Sequence, residues 1–267
     1  MACPSPKAAI YLKDFKDELI EMQREGIQHH GKRYRVEVSA VVLTPAYSFA
    51  TQAAAHTAYY SSRKCVTKGE YEISNVAFNE FNVVLQTNES FHNQDQKEHH
   101  RDHSPFEDIP GIDIVRHFPY DYMYLACLGP LLVCLQSSVC SPSYAKSWNP
   151  LEFTSQCKPR TLRELRRWKA TEFKQLLLYT GPCVLKKTVS HDVFLHFLTF
   201  NFAMRCFVEN FQNLYGKRSV SHNVHALIHL FDNVLHYGPL EKISCFKFEG
   251  KLQHLKRMIR KKTALRS

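Results

Sequence analysis

The sequence predicts an α+β fold: a mixed N-terminal part with few strands, followed by a mainly helical C-terminal region. Three observations carry this. Tyr34, Val36, Val38 and Ala40 alternate with Arg35, Glu37 and Ser39, the period of a strand. Apolar residues recur at helical spacing before that run and again over most of the second half. Gly26, Gly181-Pro182, Gly216 and Gly238-Pro239 close the helical segments.

In chain order, Ser5 and Pro6 read as the cap and first residue of a helix. Leu12, Phe15, Leu19 and Met22 form its apolar stripe, and Gly26 ends it. Gly31-Lys-Arg is a turn, and the strand runs from Tyr34 to Leu43, stopping at Thr44-Pro45. Ala46 to Ala55 is expected to be a short helix, and Tyr59 to Asn88 short strands or loops. Asn88 to Pro110 is polar and rich in histidine, which predicts a long loop or a metal-dependent fold. The apolar run Tyr124–Leu135 is too short for a membrane helix, which needs ~20 residues, and Pro130 interrupts it, so it reads as buried helix.

Thr161-Leu-Arg-Glu164 has capping-box spacing, and Leu162, Leu165, Trp168, Phe173, Leu176 and Leu177 supply an apolar face ending at Gly181-Pro182. A second helix runs from Phe194 to Leu214, closed by Gly216, and a third from Val224 to Val234, closed by Gly238-Pro239. Pro142, Pro150 and Pro159 mark a loose boundary, dividing the chain into expected domains 1–140 and 141–267.

A formal net charge of +10 favours a polyanionic partner, DNA or RNA before an anionic membrane. Nine scattered cysteines do not form a disulfide framework, and Lys7, Lys13 and Asp14 interrupt any signal peptide. A reducing nuclear or cytoplasmic setting is expected, not secretion.

The tail is the most charged segment. Glu249 precedes seven Lys and Arg between Lys251 and the C-terminus. Read as a helix, Phe248, Leu252, Leu255 and Ile259 share one buried stripe flanked by Glu249, Lys256 and Arg260. A carboxylate ringed by cations suits a metal ion beside a phosphate backbone. A solvated basic face is the other reading.

Four blocks, in order, carry a further signal: Phe118-Pro-Tyr-Asp-Tyr-Met-Tyr-Leu-Ala-Cys-Leu-Gly129, Leu165 to Pro182, Ser221-His-Asn-Val-His-Ala-Leu-Ile-His-Leu230 with Tyr237-Gly-Pro-Leu240, and the tail from Phe246 to Arg260. Together they resemble the C-terminal part of transposases of CACTA-type DNA transposons, over about Leu12 to Arg260. The resemblance implies a partial RNase H-like core remnant at the N-terminal side and a helical C-terminal layer. It also implies three carboxylates that hold two divalent cations against a phosphodiester.

Residue by residue, the pattern is depleted. The first acid would precede Met1, so the chain reads as shortened at its N-terminus. The second falls on Thr44, whose hydroxyl is a poor magnesium ligand. The third matches Glu249. Asp121 matches the family's Asp-Tyr-Met-His block, but the histidine position is Tyr124, and the asparagine expected after Glu249 is Gly250. The family's extra helical stretch between Ala203-Met-Arg205 and Val208-Glu-Asn-Phe211 is missing. Thr44 and Glu249 are expected across one shallow cleft with Asp121 nearby. Asp121 also reads simply as the cap of a helix starting near Met123.

Relatives carry Cys-x-x-Cys after the strand and a later His-His pair. Here the first cysteine matches Ser62, leaving Cys65, His99, His100 and potentially His103 as a zinc remnant, against the alternative of a free thiol and solvated rings. His222, His225, His229 and His236 share one narrow stripe at ~100° per residue, opposite Val224, Leu227, Ile228, Phe231 and Val234. Metal binding at i, i+4 is one reading and a polar face is the other. Arg163, Arg166, Arg167 and Lys169 surround Trp168, with the tryptophan expected in the core and the cations on phosphate or in solvent.

The function expected is that of a transposase-derived protein, catalytically inactive, binding DNA through Arg163, Arg166, Arg167, Lys256, Arg257, Arg260 and Lys261. The alternatives are an active metal-dependent transposase or nuclease, with magnesium or manganese at Glu249 and Asp121, and a helical protein–protein module. Zinc is the other cofactor the ligands admit, and no membrane partner is expected.

Overall fold

The computed structural model describes residues 7–43, 46–128, 160, 162–181, 185–186, 189–202 and 204–264. The chain is α+β, with helices predominating beside two small antiparallel sheets. It forms two compact units. One joins residues 1–119 to 208–229, and the other joins 120–207 to 230–267. The boundary expected near residue 140, the capping position Thr161, the helix start at Ser5-Pro6 and the Thr44-Pro45 stop lie outside the described residues.

In the first unit the opening helix forms in two pieces, α1 (Ala8–Tyr11) and α2 (Lys13–Glu25), and stops at Gly26. Leu19 from its stripe is buried. A hairpin follows, β1 (Ile27–His29) and β2 (Lys32–Tyr34), in register Ile27↔Tyr34 and His29↔Lys32. His30 and Gly31 at its tip both have positive φ, 48° and 74°, as a tight two-residue hairpin turn requires.

The strand expected from Tyr34 to Leu43 does not form. Only its first residue belongs to a ladder, and residues 35–43 carry no strand pairing. Alternation needs a neighbouring strand to supply hydrogen bonds. Among the described residues, this stretch bonds through the Val41 N–H to the His117 carbonyl at 2.7 Å. Val38, Val41 and Leu43 pack, half-buried, against the core of Leu19, Tyr47, Ala50, Phe91, Phe106, Ile109, Ile112, Ile114 and Phe118.

The expected short helix is α3 (Tyr47–Ala50), and the expected short strands are β3 (Glu70–Glu72) and β4 (Asn75–Ala77). Gly69 enters this hairpin where a Cβ would lie 2.3 Å from Val76 Cγ1 and 2.8 Å from Phe78 Cζ. Gly69→Ala therefore overpacks a closed site, and the expected loss is about 1–3 kcal/mol in a urea titration. An unchanged midpoint would show that Val76 and Phe78 move aside freely.

The polar stretch after residue 88 is less open than expected. Thr87 Oγ1 accepts from the Ser90 N–H at 3.0 Å, and Ser90 Oγ accepts from the Thr87 N–H at 2.9 Å, capping α4 (Asn88–His92). Phe91, Phe106 and Ile109 anchor the segment in the core. Its surface is held by an ion pair of Lys16 with Asp108 at 2.8 Å and by a contact of His92 Nδ1 with Glu107 Oε2 at 3.1 Å.

In the second unit, Asp121 caps the turn at Met123–Cys127, its Oδ1 accepting from the Met123 N–H at 3.1 Å. The turn is of π type and its Met123, Leu125, Ala126 and Cys127 are buried. Helix α5 (Ala170–Gln175) is secured at its start by Glu172, whose carboxylate accepts from the Lys169 N–H at 2.7 Å and the Arg160 N–H at 2.9 Å. Trp168 is buried against Phe173, ring centroids 5.3 Å apart, as its spacing predicts. The long helix expected after residue 190 forms as α6 (His191–Phe202) and α7 (Met204–Tyr215), the second entering the first unit. His196 of α6 lies flat on Phe207, 4.3 Å between rings, and its Nε2 donates to the Phe207 carbonyl at 2.9 Å.

Helix α8 (His222–Ala226) continues through a tighter turn, Leu227–His229, into α9 (Leu230–Tyr237), which Gly238 ends. The histidine row is not the outer face of this segment. Three of its four members, His222, His225 and His229, are buried and His236 is exposed; on the expected apolar side Val224 and Leu227 are buried and Phe231 is 63 % exposed. The three-residue turn advances the chain by 120° per residue and shifts the phase of the stripe. The tail forms α10 (Phe246–Ala264). Its expected buried stripe is also turned outward at Phe248, Leu252 and Leu255, each at least 51 % exposed, and the Ile259 side chain lies outside the described residues.

Candidate metal centre

Cys65 sits in an isolated antiparallel bridge with Leu85 and is buried. Its neighbours come from both sequence segments of the first unit. His225 Nε2 lies 3.3 Å from Sγ, Ser62 Oγ 3.0 Å and Thr67 Oγ1 3.4 Å. The ligand atoms of Cys65, His225 and His229 all fall within 4.8 Å of one another. This spacing could hold a metal such as zinc.

The local chain explains why these atoms converge. Ser62 Oγ accepts from the Cys65 N–H at 3.3 Å, closing a turn that aims the thiol inward. Phe78 donates its N–H to the Val220 carbonyl at 2.8 Å, tying the segment after β4 to the approach of α8. The Phe78 and His225 rings then lie 5.6 Å apart. His225 and His229 stand four residues apart, so both meet Cys65 from one side.

Electrostatics keep the rings ligand-ready. Burial pushes His225 down to about 4, opposed by a hydrogen bond to the Phe78 backbone. Burial pushes His229 to about 3, helped by His225 and the Lys64 ammonium. His222 is lowered well below its ordinary value by burial, then by Arg63, and its Nδ1 sits 2.9 Å from Ser61 Oγ. Neutral imidazole is the form that binds metal.

The zinc remnant expected at Cys65, His99 and His100 is corrected here: the thiol is met by His225 and His229 instead. His99 is fully buried, but its Nδ1 donates to the Tyr60 carbonyl at 2.6 Å, and its ring packs edge-on to Phe91 and His100. Burial lowers His99 to about 4. His100 is half-buried, and burial lowers it against the opposing pull of Glu107. His103 is exposed and paired with Asp108 at 3.0 Å, a bond that raises its pKa. The sequence signal for the two imidazoles beside the thiol is the i, i+4 spacing of His225 and His229.

The acids implied by the resemblance lie in the second unit. Tyr124 donates its hydroxyl to Glu249 Oε1 at 2.7 Å, and this bond to Glu249 raises the phenol to about 12. Asp121 is fully buried, and its Oδ1 also accepts from the Cys245 N–H at 2.9 Å. Cys245 begins the turn that leads to Glu249, whose N–H donates to the Cys245 carbonyl at 2.9 Å. Asp121 and Glu249 are thus linked through Tyr124 and Cys245. Thr44, expected across a cleft from Glu249, lies outside the described residues.

Arg166 and Arg167 are exposed, with Arg167 3.7 Å from Glu164. Lys256 and Arg257 are exposed on α10. Arg163 lies on the turn Leu162–Arg167, and Arg260 and Lys261 on α10, with side chains outside the described residues. No helix among the described residues is long and apolar enough to cross a membrane. The chain matches no family model, no curated protein and no solved structure.

Proposed function

We propose that the chain is a transposase-derived DNA-binding protein that does not cut or join DNA, with Cys65, His225 and His229 as a structural metal centre. The observation carrying this reading is the state of the surviving acids. Two-cation phosphodiester chemistry needs several free carboxylates at one point. Glu249 is instead bonded to the Tyr124 hydroxyl, at a position where the resembling family has histidine. Asp121 Oδ1 is bonded to two backbone N–H groups and serves as a cap. The RNase H-like ancestry of the first unit rests on the four sequence blocks alone. DNA contact is supported by the net charge of +10 and by the cations of α10.

The test is DNA binding measured against salt, together with strand nicking in magnesium and manganese. Expected is binding that weakens steeply with salt, with no nicking. Lys256→Gln with Arg257→Gln should weaken binding to all sequences alike and lower the salt slope by about 2. Nicking that disappears in Glu249→Gln would restore the enzyme reading. The outward apolar stripe of α10 favours a second reading, a protein–protein module. Binding that is absent at low salt would select it.

A further inference from the structure

Resting on the reading of Cys65, His225 and His229 as a metal centre, we propose that this centre is a three-donor site for monovalent copper rather than zinc, and that Ser62 sets the choice. A structural zinc takes four nitrogen or thiolate donors. The described ligand cluster supplies three. The fourth corner beside the thiol belongs to Ser62, whose Oγ is 3.0 Å from Sγ. A neutral hydroxyl is a weak donor to zinc. Bulk water does not reach this corner, because Ser62, Cys65, His225 and His229 are all at most 3 % exposed.

Charge decides in the same direction. One thiolate with Zn(II) leaves a net positive charge in a buried site. Burying an uncompensated charge is among the costliest steps in folding or binding. The Lys64 ammonium acts on His229 and is of the wrong sign to compensate. One thiolate with Cu(I) is neutral. The Phe78 ring, 5.6 Å from the His225 ring, suits a neutral centre. Thiolate and imidazole are also the soft and borderline donors that hold copper, and Cu(I) is satisfied by three of them.

Ser62→Cys would change both terms at once. It adds a fourth donor of the right type and a second negative charge, and so favours Zn(II). Ser62 is therefore a specificity-determining residue, separate from the three that bind.

The experiment uses the full chain, reduced and anaerobic, with Cu(I) and Zn(II) each titrated against a chromophoric chelator. Wild type, Cys65→Ser and Ser62→Cys are compared, with circular dichroism to confirm that each is folded. Expected is one tight Cu(I) in wild type that Cys65→Ser loses, and a zinc affinity that rises about tenfold or more in Ser62→Cys. X-ray absorption on the wild-type Cu(I) form, which needs no variant, should give three donors, one of them sulfur. Zinc held as tightly by wild type as by Ser62→Cys would overturn the copper assignment and leave the metal centre standing. Equal binding of both metals by wild type and Cys65→Ser would overturn the centre itself.

Discussion

Acidifying the metal-free protein from pH 7 to about pH 4 is expected to unfold the unit built from residues 1–119 and 208–229. Burial holds His99 and His225 at about 4 and His229 at about 3. Above pH ~6.5 the rings are neutral in the folded and unfolded chains alike, and they add no pH dependence. Below it the unfolded chain binds protons that the folded chain refuses. Stability then falls with each pH unit until the folded-state values are reached. Each ring contributes on the order of a few kcal/mol across that window, and three together rival the 5–15 kcal/mol that holds a typical domain. Hydrogen exchange over residues 208–229, followed against pH, checks this directly. His229→Gln should flatten the slope, and a bound metal should move the transition to lower pH by competing with protons. Protection that stays constant down to pH 4.5 would mean that water reaches these rings.

Asp121→Ala should destabilise the second unit by about 2–4 kcal/mol. The carboxylate accepts from the Met123 N–H at 3.1 Å and the Cys245 N–H at 2.9 Å, both beside a fully buried residue. Removing it leaves two buried donors without an acceptor, each costing roughly 1–3 kcal/mol. Relief of the carboxylate's own desolvation offsets part of that loss. Asp121→Asn retains a carbonyl acceptor and should lose about half as much. Fluorescence of Trp168, buried against Phe173, follows the unfolding. A second readout separates the cap from general damage. Burial first, and then Asp121, push the Cys245 thiol up to about 12. In folded Asp121→Ala that thiol should react faster with maleimide at mildly alkaline pH. A variant as stable as wild type with an unreactive Cys245 would remove the cap from the account.

Local patterns in the sequence read truly where local forces decide the outcome. Gly26, Gly216 and Gly238 each mark a helix end, Trp168 is buried, and Asp121 caps Met123. Errors arose where a distant segment decides. The alternation from Tyr34 to Ala40 is that of a strand, but period 2 says nothing about whether a partner strand lies alongside. The stripe Phe248, Leu252, Leu255 is amphipathic, yet periodicity cannot supply the surface that would cover it. The candidate centre was half legible. Cys65 was identified, and the i, i+4 spacing of His225 and His229 was visible. Their meeting joins positions 160 apart in the chain, which no local pattern encodes.

The interleaving of the two units carries a consequence for biosynthesis. Cys65 leaves the ribosome 160 positions ahead of His225. At roughly 5–20 residues per second, the thiol waits about 8–30 seconds before its imidazoles are translated. During that interval residues 1–119 lack the wall formed by Val208, Phe211, Val220 and Val224. Nascent chains stalled before residue 208 should therefore present an alkylatable Cys65, and release of the finished polypeptide should shield it.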